Sequence, residues 1–234
     1  MNLYEIKDIL EKKEKAIFTM NEFAKLFQLK KEVASVYLYR MVKKGLLIKI
    51  EKNKFSLTND PFIIASQITF PCYLSLTSAL YLHNIMPQIP DIIEVITSRQ
   101  KKSLYNNLVK IRFIKVKPEL MFGYLKLKKE SSFIMLADVE KTIIDSLIFL
   151  RYCRLQLILD ALKIANLKRL EEYLSLIRNE AIVRRVGYLL DLLKIKHHFK
   201  KRTDVVYKLN PSIRKRGEFN KKWYLYVNED ANKR

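Results

Sequence analysis

The apolar positions between Phe18 and Leu57 change their period twice. Phe23, Ala24 and Phe27 fall at helical spacing, and after Gln28-Leu29 the same spacing returns in Ala34, Leu38, Met41 and Val42. Thr19 stands before the first run with Glu22 three residues on. In that arrangement a hydroxyl and a carboxylate each satisfy a free backbone N–H at a helix start. The second run predicts a helix over about residues 30–44, stopped by Gly45, where a left-handed backbone costs least. Residues 46–50 then read as a strand, Glu51-Lys52-Asn53 as a turn and residues 54–57 as the return strand. Upstream, residues 2–15 form an amphipathic helix with Leu3, Ile6, Ile9 and Leu10 on one stripe.

Helix, turn, helix, glycine stop and hairpin together outline a winged helix-turn-helix. With Leu38 set inward, a rotation of ~100° per residue turns Glu32, Val33, Val36, Arg40 and Lys43 outward, with Ser35, Tyr37 and Tyr39 on the flanks. These residue types suit a major groove. Arg40 can pair with a guanine edge, Val36 can pack on a thymine methyl, and Ser35 and Tyr39 complete the candidate base-reading set. Lys30, Lys31, Lys43, Lys49, Lys52 and Lys54 are the candidate phosphate contacts.

Asn59-Asp60-Pro61 is the first clear break in the pattern, and it divides the chain into a winged domain over residues 1–60 and a mixed α/β domain over residues 61–234. Residues 62–68 read as a short linker helix and residues 75–84 as a helix closed by Pro87 and Pro90. Residues 92–97, 109–116, 120–127 and 133–136 read as strands. Asp138 is placed to cap a helix that carries Glu140 in its first turn and Ile143, Ile144, Leu147 and Leu150 as its stripe. Three more helices, at residues 155–165, 167–177 and 180–193, are joined by short loops and predict a helical layer. Residues 205–209 and 223–227 alternate and predict a C-terminal hairpin around the basic loop Arg214-Lys215-Arg216; residues 229–234 read as a frayed end. The expected class is α+β.

Charge sharpens this picture. Of 234 residues, Lys and Arg number 45 against 24 Asp and Glu, a net charge of +21, with a sequence pI near 9.8. So large an excess is the electrostatic footprint of a polyanion binder, with nucleic acid first. Arg99, Lys101 and Lys102 in the connector, Arg184 and Arg185 in the last helix, and Arg214, Lys215 and Arg216 are candidates for a second nucleic-acid or partner contact. A second reading is a basic C-terminal half that binds RNA, carried by Arg184, Arg185, Lys194, Lys196, Lys200, Lys201, Arg202 and the Arg214-Lys215-Arg216 loop, with Trp223, Tyr224 and Tyr226 available for stacking.

Catalytic chemistry finds little footing. His83, His197 and His198 lack companions at metal-ligand spacing, and no cofactor or metal is expected. Asp138, Glu140, Lys141 and Asp145 permit a metal-dependent nuclease reading, but a helix cap followed by exposed charges explains them more simply. Cys72 and Cys153 give neither a disulfide framework nor a zinc spacing. No apolar run reaches the ~18 residues a membrane helix needs, so an intracellular, cytoplasmic location without membrane contact is expected.

Several stretches in this order resemble the AbiEi-type antitoxins of type IV toxin-antitoxin systems, which also act as transcriptional regulators. They are KKGLLIKIEKNKFSL, YLSLTSALYLHNIMPQIP followed by IIEVITS, IRFIKVKPELMFGY, LADVEKTIIDSL, AIVRRVGYLLDLL and YKLNPSIRKRGEFNKKWYLYVN. The resemblance runs from about residue 5 to residue 228. The wing departs from the usual pattern, with Lys52-Asn53 where a glycine often sits. The resemblance implies a non-enzymatic autorepressor that binds operator DNA. A winged domain reading an inverted repeat normally needs two copies, so a homodimer and paired monomers on DNA are both open. The resemblance further implies a C-terminal domain that counteracts a nucleotidyltransferase-like toxin.

Overall fold

The computed structural model describes residues 2–230. Met1 and residues 231–234, the end of the segment expected to fray, lie outside the described residues. The architecture is α+β. The chain divides into two compact units: one holds the chain up to Leu74 with Asp91–Val116 and Leu125–Leu136, the other Ser75–Pro90, Lys117–Tyr124 and the chain from Ala137 onward.

The first unit opens with α1 (Leu3–Glu11), β1 (Ile17–Thr19), α2 (Met20–Leu26), α3 (Lys31–Lys43), β2 (Ile48–Glu51) and β3 (Lys54–Ser56). The strands form a three-stranded sheet in the order β1-β3-β2, with both pairs antiparallel. The α2 start is the expected reciprocal cap: Glu22 N donates to Thr19 Oγ1 at 3.1 Å and Thr19 N to Glu22 Oε2 at 2.7 Å. Ile6, Leu10, Phe23, Ala34, Leu38 and Met41 close the core among the three helices. Each large side chain there contributes about 1.5–3 kcal/mol on burial. Gly45 and Asn53 both adopt positive φ, 69° and 61°, so the asparagine supplies the left-handed residue that the hairpin turn needs. Strand β1 was not expected. Three residues are too few to show alternation, and it exists because Phe18 pairs with Phe55 of β3.

The same unit continues with α4 (Pro61–Gln67), β4 (Cys72–Leu74), β5 (Ile93–Thr97), β6 (Leu104–Tyr105), β7 (Lys110–Lys115), β8 (Tyr124–Lys129) and β9 (Ser132–Ala137). These strands make a six-stranded sheet in the order β6-β7-β5-β4-β9-β8. Pairs β5–β7 and β4–β9 are parallel; β4–β5 and β6–β7 are antiparallel. The expected linker helix is instead a packed one. Asp60 caps α4, which buries Phe62, Ile63, Ile64 and Ala65. At its far end Gln67 accepts from Ala16 N at 2.9 Å and donates Nε2 to Ser132 Oγ at 2.9 Å and to the Phe133 carbonyl at 2.7 Å. The sequence break at Asn59-Asp60-Pro61 therefore falls inside a compact unit.

The second unit contains α5 (Leu76–Leu82), α6 (Val139–Ile148), α7 (Leu155–Leu162), α8 (Leu167–Ile177), α9 (Glu180–Leu192), β10 (Tyr207–Lys208), β11 (Glu218–Asn220) and β12 (Leu225–Val227). Leu80, Ile143, Leu147, Ile158, Val186 and Leu190 stand in its core. Two expectations are corrected here. The hairpin is β11–β12, antiparallel, whereas β10 joins β12 in parallel, because the intervening basic loop carries the chain across the sheet before it returns. And Glu140, Lys141 and Asp145 are not exposed: they are 4, 0 and 1 % accessible. The Lys141 ammonium bonds the Asp145 carboxylate, and Ser75 Oγ donates to the other oxygen of Asp145 at 2.8 Å.

Candidate nucleic-acid interface

Helix α3 is two-faced. Ala34, Leu38 and Met41 are buried, while Ser35, Val36, Tyr39 and Arg40 are exposed. Val36 and Tyr39, at 47 and 60 % accessible, are large apolar side chains left in water on a face bounded by cations. Lys30, Lys31 and Lys43 are exposed at the two ends of the helix, and the Lys43 ammonium lies 5.4 Å from the Tyr39 ring centre. Tyr37, assigned to the flank, is half-buried against the core. All four candidate base-reading residues thus share one solvent-facing surface of one rigid element.

The β2–β3 hairpin divides its lysines. Lys49 and Lys52 are exposed. Lys54 is half-buried and committed: its ammonium is 2.9 Å from Glu51 and donates to the Ile68 carbonyl at 2.5 Å. Glu51 also accepts from Lys101 at 2.9 and 3.0 Å. Burial alone would raise the Glu51 carboxyl, but hydrogen bonds from Lys54 and Lys101 hold it below the usual value. One acidic residue, given no role in the sequence beyond its place in the turn, therefore neutralises Lys54 of the candidate phosphate contacts and Lys101 of the candidate second contact. Arg99 and Lys102 remain exposed.

Two arginines are removed from the interface. Arg184 is fully buried, with Nε 2.9 Å from Glu180 and its Nη atoms on the carbonyls of Thr203 and Val205. Arg185 donates to the Lys208 carbonyl at 3.1 Å and the Leu147 carbonyl at 3.3 Å, and burial lowers its pKa to about 10. Both staple the tail to α9, and neither can reach a ligand. The pattern RR in an amphipathic helix gave no hint of this: Glu180, four residues before Arg184, is the one local acceptor, and the backbone carbonyls that enclose both arginines lie far along the chain.

The basic loop keeps its charge outside. Arg214, Lys215 and Arg216 are exposed. Arg216 lies over the Tyr226 ring at 4.2 Å and Lys201 over the Tyr224 ring at 3.7 Å. Phe219, 43 % accessible, stands between those two tyrosines, 5.6 and 5.4 Å from their ring centres. Trp223, by contrast, is buried and unavailable for stacking. Lys201, a candidate of the basic C-terminal reading, belongs to this cluster; so does Phe219, which was not singled out from sequence because it lies outside the alternating segments.

The carboxylates that suggested a nuclease are occupied structurally. Asp138 accepts from Lys141 N at 2.8 Å and from the Tyr173 hydroxyl at 2.7 Å, and Glu140 accepts from Asn166 N at 2.6 Å. Burial, and then the hydrogen bond to Asp138, push the Tyr173 phenol upward. Among the described residues no group of three or more His, Cys, Asp or Glu is placed to hold a metal ion. His83 meets the Ala137 carbonyl at 2.8 Å, and His197 meets Asp191 at 3.1 Å. Among the described residues no helix is long and apolar enough to cross a membrane.

No family model matches this chain, and no curated protein is similar to it. Among solved structures the chain is similar to the crystal structure of the Rv2827c protein from Mycobacterium tuberculosis, with 15 % identity and a TM-score of 0.59. The match covers 94 % of this chain and 89 % of that one, so the two share a fold along nearly their full lengths.

Proposed function

We propose that the chain is a sequence-specific DNA-binding regulator whose winged helix-turn-helix domain spans residues 1–60. The observation that carries this reading is the two-faced α3. Its inner residues close the core, while Ser35, Val36, Tyr39 and Arg40 face solvent between exposed lysines. A helix so arranged can lie in a major groove, with Arg40 on a base edge and Lys30, Lys31 and Lys43 on flanking phosphates. Lys49 and Lys52 supply the hairpin's phosphate contacts; Lys54 positions Glu51 and α4 instead. The antitoxin role, with a nucleotidyltransferase-like toxin as the protein counteracted, rests on the resemblance of the quoted stretches.

The test is titration of the full chain with the duplex upstream of its own gene and with a shuffled duplex of equal length, at one fixed salt concentration. Preference for the native duplex is expected; equal affinity for the two removes the sequence-specific reading. Co-expression with a neighbouring nucleotidyltransferase-like gene tests the antitoxin part, and unrelieved toxicity counts against it.

One observation favours a second reading, RNA binding by the C-terminal basic face: the cationic cluster of Phe219, Tyr224 and Tyr226 with Lys201 and Arg216. Reversing Arg214 and Arg216 to Glu separates the two. Loss of single-stranded RNA binding with duplex preference intact assigns RNA to this face.

A further inference from the structure

The first unit contains a cleft of about 720 Å³ that the DNA-binding reading does not use. The cleft is lined by Ile17–Thr19 of β1, Lys54 of β3, the end of α4 with Phe70, and Lys126 and neighbours on the six-stranded sheet. The volume suits a small organic molecule. Its floor is apolar and partly aromatic, with Phe18, Ile68, Phe133 and Met135, and Phe70 stands at its edge 70 % accessible.

The rim is cationic. Lys15, Lys54, Arg99 and Lys126 line it, against the single acid Glu22. Two of these cations are spent: Lys15 pairs with Glu22 at 2.5 Å, and Lys54 with Glu51 at 2.9 Å. Arg99 is not, and Lys126 is held only by longer contacts. The Arg99 side chain makes no hydrogen bond or ion pair among the described residues, with only its backbone N–H donating, to Thr97 Oγ1. Lys126 lies 4.2 Å over the Phe133 ring and 4.0 Å from the exposed Glu14. An uncommitted guanidinium favours bidentate pairing with a carboxylate, sulfonate or phosphate, and an aromatic floor favours a flat body.

We propose that this cleft binds an anionic aromatic small molecule, its acidic group paired with Arg99 on a rim to which Lys126 adds positive charge, and its ring against the exposed Phe70. The site is independent of duplex reading, yet β3 is a strand of the hairpin that carries Lys49 and Lys52 and β1 pairs with it, so an occupant would touch the framework of the proposed reader.

The full chain is titrated with the fluorescent sulfonate 1-anilinonaphthalene-8-sulfonate, followed by emission, in the absence of DNA. Saturable binding of one probe per chain is expected, weakened about tenfold by R99E with K126E, the loss of a charge-assisted contact. The matched pair K110E with K168E, at exposed lysines outside the cleft, is expected to leave affinity unchanged. Equal weakening by both pairs, no weakening by the first, or unsaturable binding overturns the proposal. Because no DNA enters the measurement, its failure leaves the regulator reading standing, and the converse also holds.

Discussion

The indole of Trp223 closes directly over Gly187 in the middle of α9, so near that a Cβ on residue 187 would overlap three atoms of the six-membered ring. The ring is 1 % accessible and its Nε1 donates to Asp191 Oδ2 at 2.6 Å, one turn further along the same helix. Glycine inside a helix costs stability, and here it admits the side chain that seals the tail to the helical layer. Gly187→Ala should therefore destabilise the second unit by about 1–3 kcal/mol, the usual cost of overpacking, despite the better helix propensity of alanine. Trp223 is the sole tryptophan of the chain, so its emission reports the site directly. An unshifted spectrum with an unchanged thermal midpoint would refute the contact.

For the duplex-binding reading, Arg40→Ala should lower affinity for the preferred duplex by ~1–3 kcal/mol and flatten the preference over a shuffled one. Lys52→Ala should weaken both duplexes alike and reduce the slope of log affinity against log salt by about one. Fluorescence anisotropy across a salt series measures both. A loss of preference in the lysine variant and not in the arginine variant would reverse the assignment.

Lys141 and Asp145 are a fully buried i, i+4 ion pair on α6, with Ser75 Oγ on the second carboxylate oxygen and the Phe122 ring 4.9 Å from the ammonium. Lys141→Met leaves a carboxylate in the core without its cation, which typically costs about 3–5 kcal/mol. Lys141→Met combined with Asp145→Leu removes both charges and should recover part of that loss. Chemical denaturation of the two variants measures it; a single variant as stable as wild type would show that the pair does not hold the core.

Asp191 gathers Lys222 at 2.7 Å, Trp223 at 2.6 Å and His197 at 3.1 Å. Burial would raise its carboxyl, but the hydrogen bonds from Lys222, Trp223 and His197 outweigh that and hold it below the ordinary aspartate value. A carboxyl depressed on folding stabilises while ionised. Its contribution is complete above the unfolded value of about 4 and disappears as pH falls through the folded value. Asp191→Asn should therefore lower the thermal midpoint at neutral pH and leave a shallower acid limb than wild type. Parallel acid limbs in a pH series of melts would exclude this role. The side chain is one-third exposed, so solvent screening limits the size of the effect.

Much of the helical framework was legible because helix signals are local. The Thr19–Glu22 cap, the Ala34–Leu38–Met41 stripe, Gly45 and the Asp138 cap each depend on residues a few positions apart, and each appears where the pattern placed it. The same periodicity told inside from outside on α3, which is why Ser35, Val36, Tyr39 and Arg40 emerge on one face.

What periodicity cannot carry is the identity of a partner distant in sequence. Strands β1, β4 and β6 are two or three residues long and take their conformation from the strands they pair with. Charge is the sharper case. Arg40 and Arg184 look alike in the sequence, both basic residues on amphipathic helices, yet one stands in solvent and the other is enclosed by the carbonyls of Thr203 and Val205. The sequence alone determined which segments coil and which face of each is apolar, since those follow from neighbours along the chain. Only the tertiary structure decided which cations are free to meet a polyanion, because burying a charge requires acceptors that folding brings from elsewhere.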